Sequence, residues 1–372
     1  MGLRRPPVAR TPSPNPLPHF VGERKKRYIG LMRALSLIEE GRLEPVDLPE
    51  PPPPGKGELQ VAMRRMALNH IDLWGARGMA FIKRSLPIVA GVEGVGEVVA
   101  KGPGVIGFQT GDRVALYAGL VCGRCKACRS LHENLCENVA GIMGFHVDGM
   151  ARERLNIAST QAFKLPAAVS WTDAACAPLT FATVQHMLFD NARLERGEWI
   201  LIHAGGSGVG STAILMAKQA GATVIATAGT DAKLEKMKKL GADHVVNYET
   251  ERFEGVVRRL TAKRGVDVVF EHVGPATWAG SLLSLAKGGR LVTCGSTSGM
   301  TAETNLAHLF QQQLRIIASF GASFRNVREG LDKMAAGLRP VIDSEIGLDE
   351  MAQGIERLKN RDVFGKIVVR IG

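Results

Sequence analysis

The chain has 372 residues, 45% of them hydrophobic, and a formal net charge of +11. That length suits two folded domains of a soluble protein, and no apolar run is long enough to cross a bilayer. The charge does not imply a nucleic-acid partner: residues 1–33 hold eight Lys and Arg against Glu23 alone, an excess of +7 that leaves only +4 for the rest.

Residues 1–32 read as a disordered extension. Pro6, Pro7, Pro12, Pro14, Pro16 and Pro18 remove backbone donors and forbid a helix. The stretch lacks the continuous apolar core of a secretory signal. It is Arg-rich and acid-poor as transit peptides are, but its prolines preclude the amphipathic helix those need. A misplaced start, with Met32 as the true first residue, is the alternative. Nothing marks the chain for secretion or a membrane, so a cytoplasmic protein is expected.

From Arg33 short strands alternate with turns, at 34–38, 59–67, 94–101 and 113–117, with the proline run at 51–54 as a loop. Strands with few helices between them indicate a β-rich lobe. Cys122, Cys125, Cys128 and Cys136 then form C-x2-C-x2-C-x7-C. Four thiolates on one tight loop can close a tetrahedral shell around Zn²⁺, with Zn–S near about 2.3 Å and no open position for substrate. One structural zinc per chain is expected. A disulfide reading is weaker in a chain not marked for export. Cys176 and Cys294 sit in apolar contexts and read as small core residues.

An α/β pattern begins near residue 183. An apolar strand at 199–203 feeds Gly205, Gly206, Ser207, Gly208, Val209 and Gly210, and a helix follows at 208–220. Glycines there let a pyrophosphate approach the backbone and rest on the free N–H groups of a helix N-terminus. A second strand at 223–228, a helix ending at 240–241 and a third strand at 245–246 complete a βαβαβ unit. Further strands at 266–271, 291–294 and 315–320 make six, a doubly wound sheet. The tail has a helix at 349–358 and a strand at 366–371, whose most economical place is back on the β-rich lobe. The expected domains are 33–182 with 322–372, and 183–321.

With these features placed, the chain resembles the medium-chain dehydrogenase/reductase superfamily, the zinc-type alcohol dehydrogenases and their quinone-reductase relatives. The resemblance rests on NHIDLWGARG at 69–78, GVEGVGEVV at 91–99, GDRV at 111–114, the cysteine loop, the glycine turn and KLGADHVVNY at 239–248. It implies an α/β protein with a GroES-like β-rich catalytic lobe, a Rossmann lobe, a cleft between them, and a homodimer or homotetramer. It also locates a departure. Alcohol dehydrogenases take their catalytic zinc ligands at the positions of Asn69 and Val92 and near Phe181, and an amide, a valine and a phenylalanine cannot make that site. Glu93, an acid behind the zinc in those enzymes, has no metal to serve, and Trp74 stands where some carry a relay histidine. Quinone-reductase-like members share the loss, but many lack the cysteine loop, so this chain resembles a branch that keeps the structural zinc.

The second strand ends Ala226-Thr227-Ala228-Gly229-Thr230, with no acid before Asp231. NAD-specific folds place an acid there for the ribose 2′-hydroxyl, whereas small and hydroxyl residues leave room for a 2′-phosphate. Lys233, Tyr248 and Arg361 match positions that hold this phosphate in quinone-reductase-like members, so NADPH is the expected cofactor. The resemblance adds cofactor contacts at Thr230, His272, Val273, Gly295 and Phe320. Hydride transfer without a catalytic metal suits a quinone or an alkene conjugated to a carbonyl, as in NADPH:quinone reductases. Asn69 is then the candidate to hold a substrate oxygen or the nicotinamide ribose. Asp72 either shares that role or fixes the loop, and His70 either reaches the cofactor phosphates or caps the turn. An enoyl or 2-alkenal reductase and a non-catalytic NADPH-binding protein remain open. Finally, Met150-Ala-Arg-Glu-Arg154 replaces an aromatic-rich strand of the family, which implies a more solvated strand or altered neighbours.

Overall fold

Residues 30–78 and 84–372 are described in a computed structural model. The extension expected over 1–32 lies outside the described residues apart from its end, where a strand, Leu31–Glu39, already begins and Met32 is buried.

Six parallel strands form one sheet, in the spatial order His244–Asn247, Thr223–Ala228, Trp199–Ile202, Val266–Glu271, Leu285–Thr293 and Arg315–Ala318. Numbered along the chain this is 3-2-1-4-5-6, the dinucleotide-binding order, whose crevice opens where the order reverses between the first and fourth strands. Helices cover both faces, so the central strands are apolar throughout: Ile200, Leu201, Ile202, Val268, Val269 and Phe270 are all fully buried. Two strand bounds of this sheet differ from expectation by more than one residue. The fifth strand begins at Leu285, and the sixth stops at Ala318, short of Phe320.

The β-rich lobe is built on Glu58–Ala67, which pairs antiparallel with Gly94–Lys101 on one side and with the returning tail strand Lys366–Arg370 on the other. Arg154–Ala158 also pairs with it. A strand that periodicity does not reveal, Arg42–Pro49, lies at the edge of a separate three-stranded sheet against Leu31–Glu39. Pro45 and Pro49 argue against a strand in sequence, but an edge tolerates a missing N–H. In the unusual 150–154 segment Met150 and Ala151 are buried, while Glu153 pairs with Arg33 and Arg154 with Glu50.

The two lobes meet at the glycine turn. Gly365 has φ +100°, donates its N–H to Gly206 O at 2.8 Å, and is followed by Lys366, whose N–H bonds Val341 O at 2.8 Å. A Cβ at Gly365 would strike the Val341 carbonyl in a conformation that L side chains avoid. Gly365→Ala should therefore lower unfolding stability by about 2–3 kcal/mol. Urea denaturation checks this, and an unchanged midpoint would show that the contact between the lobes is not so constrained.

Candidate active site

The cofactor side of the cleft is made by the turn into helix Gly208–Ala220. Ser207 caps that helix through Oγ, which accepts Gly210 N–H at 3.0 Å. Among the described residues the N–H groups of Gly208 and Val209 have no acceptor, so they are available to an anion with the helix dipole behind them. Close packing explains the glycines: a Cβ at Gly206 would lie 3.1 Å from the Phe364 ring and 3.3 Å from the Lys233 side chain. The turn fits a pyrophosphate.

At the end of the second strand, Thr230 caps helix Asp231–Lys239. The Asp231 carboxylate is held by Asn247 Nδ2 at 2.8 Å. Lys233 Nζ donates to the carbonyl of Arg361 at 2.6 Å, with Arg361 at φ +58°. Tyr248 lies over Gly229, where a Cβ would meet its hydroxyl at 2.8 Å. Lys233 and Arg361 thus meet directly, and Tyr248 closes the same turn from the next strand.

Across the cleft, His70 begins helix His70–Arg77 and packs edge-on to Trp74 at 6.5 Å. Burial, reinforced by His272, Lys366, Arg361 and Arg77, holds its imidazole down to about 4, so it is neutral at physiological pH. His272 bonds the His203 carbonyl through Nε2 at 2.9 Å, and Gly295 packs on the His272 carbonyl. The Val273 N–H is committed to Glu271 Oε1 at 2.6 Å. Glu271, fully buried at the end of its strand, also accepts from Gly274, Thr277 and Ser281, and Ser281 in turn meets His203 at 2.9 Å. This buried cluster, signalled in sequence only by an acid closing an apolar run, fixes the loop that follows the fourth strand. Phe320 is largely exposed.

The centre lies where the alcohol dehydrogenase resemblance would put a metal. Glu93, fully buried, accepts from Leu179 N (2.8 Å), Thr180 N (2.5 Å), Thr180 Oγ1 (2.9 Å), Asn69 Nδ2 (2.9 Å) and Lys366 Nζ (3.0 Å). Asn69 Nδ2 also donates to Ala67 O at 3.0 Å, and Asn69 Oδ1 accepts from Lys366 Nζ at 2.7 Å. Both ends of the Asn69 amide are therefore satisfied within the protein, which leaves it to shape the site and not to grip a substrate. Asp72 Oδ2 accepts the Asn69 N–H at 2.8 Å in a capping box, and burial pushes the Asp72 carboxyl up to about 7. Lys366 and Thr180 escape sequence reading; the only hint is a lysine opening the apolar strand KIVVR.

The residues do not fit a catalytic zinc. Val92 and Phe181 are buried apolar side chains, and Asn69 is spent on its amide bonds. Cys176, read above as a plain core residue, sits within the electrostatic reach of Lys366 and Glu93, yet burial pushes its thiol well up. A protonated thiol, an amide and an ammonium are not a ligand set.

The cysteine loop does fit a metal. The Sγ atoms of Cys122, Cys125, Cys128 and Cys136 all lie within 4.8 Å of one another. Backbone N–H groups point at the sulfurs, Cys122 N to Cys136 Sγ at 3.3 Å and Cys125 N to Cys122 Sγ at 3.4 Å. Donors from Arg124 and Cys125 bring the Cys122 thiol down to about 6, which favours the thiolate a zinc needs. The loop also grips the crossover from the parallel sheet: Asn134 Nδ2 donates to Phe320 O at 2.8 Å, and Glu133 Oε2 accepts Phe324 N–H at 3.1 Å.

A dinucleotide crevice facing a β-rich lobe with a four-cysteine loop defines an oxidoreductase of the zinc-binding dehydrogenase type. The alcohol dehydrogenase GroES-like domain family matches residues 55–167, and the zinc-binding dehydrogenase family matches 208–336. The chain is 31% identical over 320 residues to an acryloyl-coenzyme A reductase of Metallosphaera sedula, covering 86% of this chain and 93% of that protein. It is 31% identical over 354 residues to an L-threonine 3-dehydrogenase of Shewanella frigidimarina, covering 91% and 99%. A solved structure described as an NAD-dependent alcohol dehydrogenase superposes with TM-score 0.87 at 40% identity, covering 92% of this chain and all of that one. The chain belongs to the medium-chain dehydrogenase/reductase superfamily.

Metal analysis of the purified protein should give one zinc per chain, and two would contradict the reading of Asn69, Val92 and Phe181. Cys125→Ser should lose that zinc and unfold at a lower temperature, because ligand loss removes folding free energy.

Proposed function

We propose that the protein is an NADPH-dependent reductase that adds hydride to a carbon–carbon double bond conjugated to a carbonyl, with quinones as a second acceptor class. The observation that carries this reading is the buried Lys366–Glu93–Asn69–Thr180 centre, which has no ligand set for a Lewis-acidic metal. An alcohol must lose its proton as hydride leaves, and no group here stabilises an alkoxide. A conjugated acceptor needs no such help. After hydride addition its charge spreads over the enolate or the hydroquinone monoanion, which then takes a proton from water to give the saturated carbonyl or the hydroquinone. The acryloyl-coenzyme A reductase among the relatives is named for such an alkene, which favours the conjugated carbonyl over the quinone.

NADPH, when bound, supplies the hydride. The chain's part is binding and orientation. The N–H groups of Gly208 and Val209 would receive the pyrophosphate, with Gly205, Gly206, Ser207 and Gly210 shaping the turn. Lys233, Tyr248 and Arg361 would meet the 2′-phosphate beside Thr230. His272, Val273, Gly295 and Phe320 would border the nicotinamide. Asp231, tied to Asn247, is turned to a neighbour and offers no competing acid for a 2′-hydroxyl. Asn69 and Asp72 act by holding the loop that closes the cleft.

We also read the protein as a homodimer or a higher oligomer. Among the described residues the edge strand Arg315–Ala318 pairs on one side only and exposes Ile316, and the helix leading into it exposes Leu306 and Phe310. Sedimentation as a monomer at micromolar concentration would remove this reading.

An acceptor screen tests the activity: NADPH oxidation should be rapid with small enals, enoyl thioesters or quinones, and simple alcohols should give negligible turnover. Fast alcohol oxidation that a chelator abolishes would overturn the assignment. Titration should show NADPH binding more tightly than NADH. Lys233→Ala, Tyr248→Phe and Arg361→Ala should each narrow that preference, the two cationic changes by roughly tenfold. Equal affinity in the unmodified protein would overturn the NADPH assignment.

A further inference from the structure

We propose that Lys366 is a positioning residue, a fixed internal cation that balances Glu93 and ties the catalytic lobe to the cofactor turn. Its ammonium has three N–H groups and three acceptors: Leu68 O at 2.7 Å, Asn69 Oδ1 at 2.7 Å and Glu93 Oε2 at 3.0 Å. No donor is left over for a ligand, and the side chain is only 4% exposed. A buried carboxylate persists where a cation and hydrogen bonds compensate for lost water. Glu93, itself fully buried, has four neutral donors but only this one ion-pair partner among the described residues. The ammonium therefore supplies, from the chain itself, positive charge at a centre whose side chains do not fit a metal.

The same side chain reaches the glycine turn. Its aliphatic stem lies so close to Gly208 that a Cβ there would collide with it. Gly208 opens the helix whose free N–H groups face the expected pyrophosphate. One lysine thus touches the phosphate-binding turn along its stem and the Asn69 loop at its tip. The charge state of the Lys366–Glu93 pair should be felt as cofactor affinity. This part rests on the dinucleotide reading of the turn, but not on the identity of the acceptor.

Other titratable groups face the pair and must be held constant. Asp72 and His70 approach from helix His70–Arg77, and Cys176 from the segment before Phe181. Beyond His70 lie Arg361, Arg77 and His272.

The test compares Lys366→Met, which keeps the stem and removes the charge, with the double variant Lys366→Met/Glu93→Gln. Melting temperature and NADPH affinity, the latter by fluorescence titration, are followed from about pH 5.5 to about pH 8.5. In the single variant Glu93 is buried without a cation, and protonation relieves it. Its stability is therefore greatest at low pH and falls, relative to the unmodified protein, as pH rises and the proton is lost. Its NADPH affinity should fall in parallel, by roughly tenfold or more across the range. The double variant has neither charge, so both added slopes should vanish. If the single variant does not fold at any pH, a folded double variant still supports the proposal, because an orphaned carboxylate explains the difference. The proposal is overturned if the single variant follows the unmodified protein's pH dependence, if the double variant keeps the single variant's slope, or if neither folds. A stability slope without any change in NADPH affinity would overturn the tie to the cofactor turn. Failure of the unmodified protein to bind any nicotinamide would strike the cofactor reading instead, while the stability comparison would still judge the ion pair.

Discussion

A buried ammonium–carboxylate contact, Lys366 with Glu93, is the constraint around which the site is arranged. It joins segments 273 residues apart and gathers Leu68, Asn69 and Thr180 around the same two side chains. Such a pair is not by itself a large source of stability, since desolvating two charges offsets most of their attraction. Removing one partner alone is different and typically costs about 3–5 kcal/mol. The pair therefore acts as a specification: the tail strand, the Asn69 loop and the 179–180 turn must all be in register for either charge to be tolerated. Gly365, just before the lysine, puts the same strand against the cofactor turn.

The four-cysteine loop supplies a second constraint. Four cysteines draw a stretch with little secondary structure into a closed knot, and Glu133 and Asn134 on that knot fasten the chain where it leaves the parallel sheet. Tyr117 reinforces the crossover by donating its hydroxyl to Ala322 O at 2.8 Å. The side chains thus fit a metal at this knot, whereas the Glu93 centre is held by hydrogen bonds and the Lys366 ammonium.

What could be read in advance follows from how local each signal is. A parallel sheet covered on both faces leaves continuous apolar runs, and helix Gly208–Ala220 and strand Thr223–Ala228 fall where those runs and their glycines end. The cysteine cluster was legible because its four ligands lie within 15 residues. The strand Arg42–Pro49 was hidden by its prolines, whose cost disappears only at a sheet edge. The centre was half visible: Asn69 and Val92 revealed what was missing, but what replaces it depends on a lysine from the last strand. Cys176 is the buried core residue that its apolar context indicates, and only the fold shows that it lies near Glu93. No periodicity encodes contacts across hundreds of residues, nor does it show that both ends of the Asn69 amide are already in use.

The proposed activity turns on where hydride goes. An ammonium–carboxylate centre cannot polarise an isolated carbonyl as a metal does, so delivery should be to the far end of a conjugated system. The direct measurement is product analysis after turnover of an α,β-unsaturated aldehyde with NADPH deuterated at the transferring position of C4. The account predicts a saturated aldehyde with deuterium on the β-carbon. Deuterium on the carbonyl carbon of an allylic alcohol would contradict it.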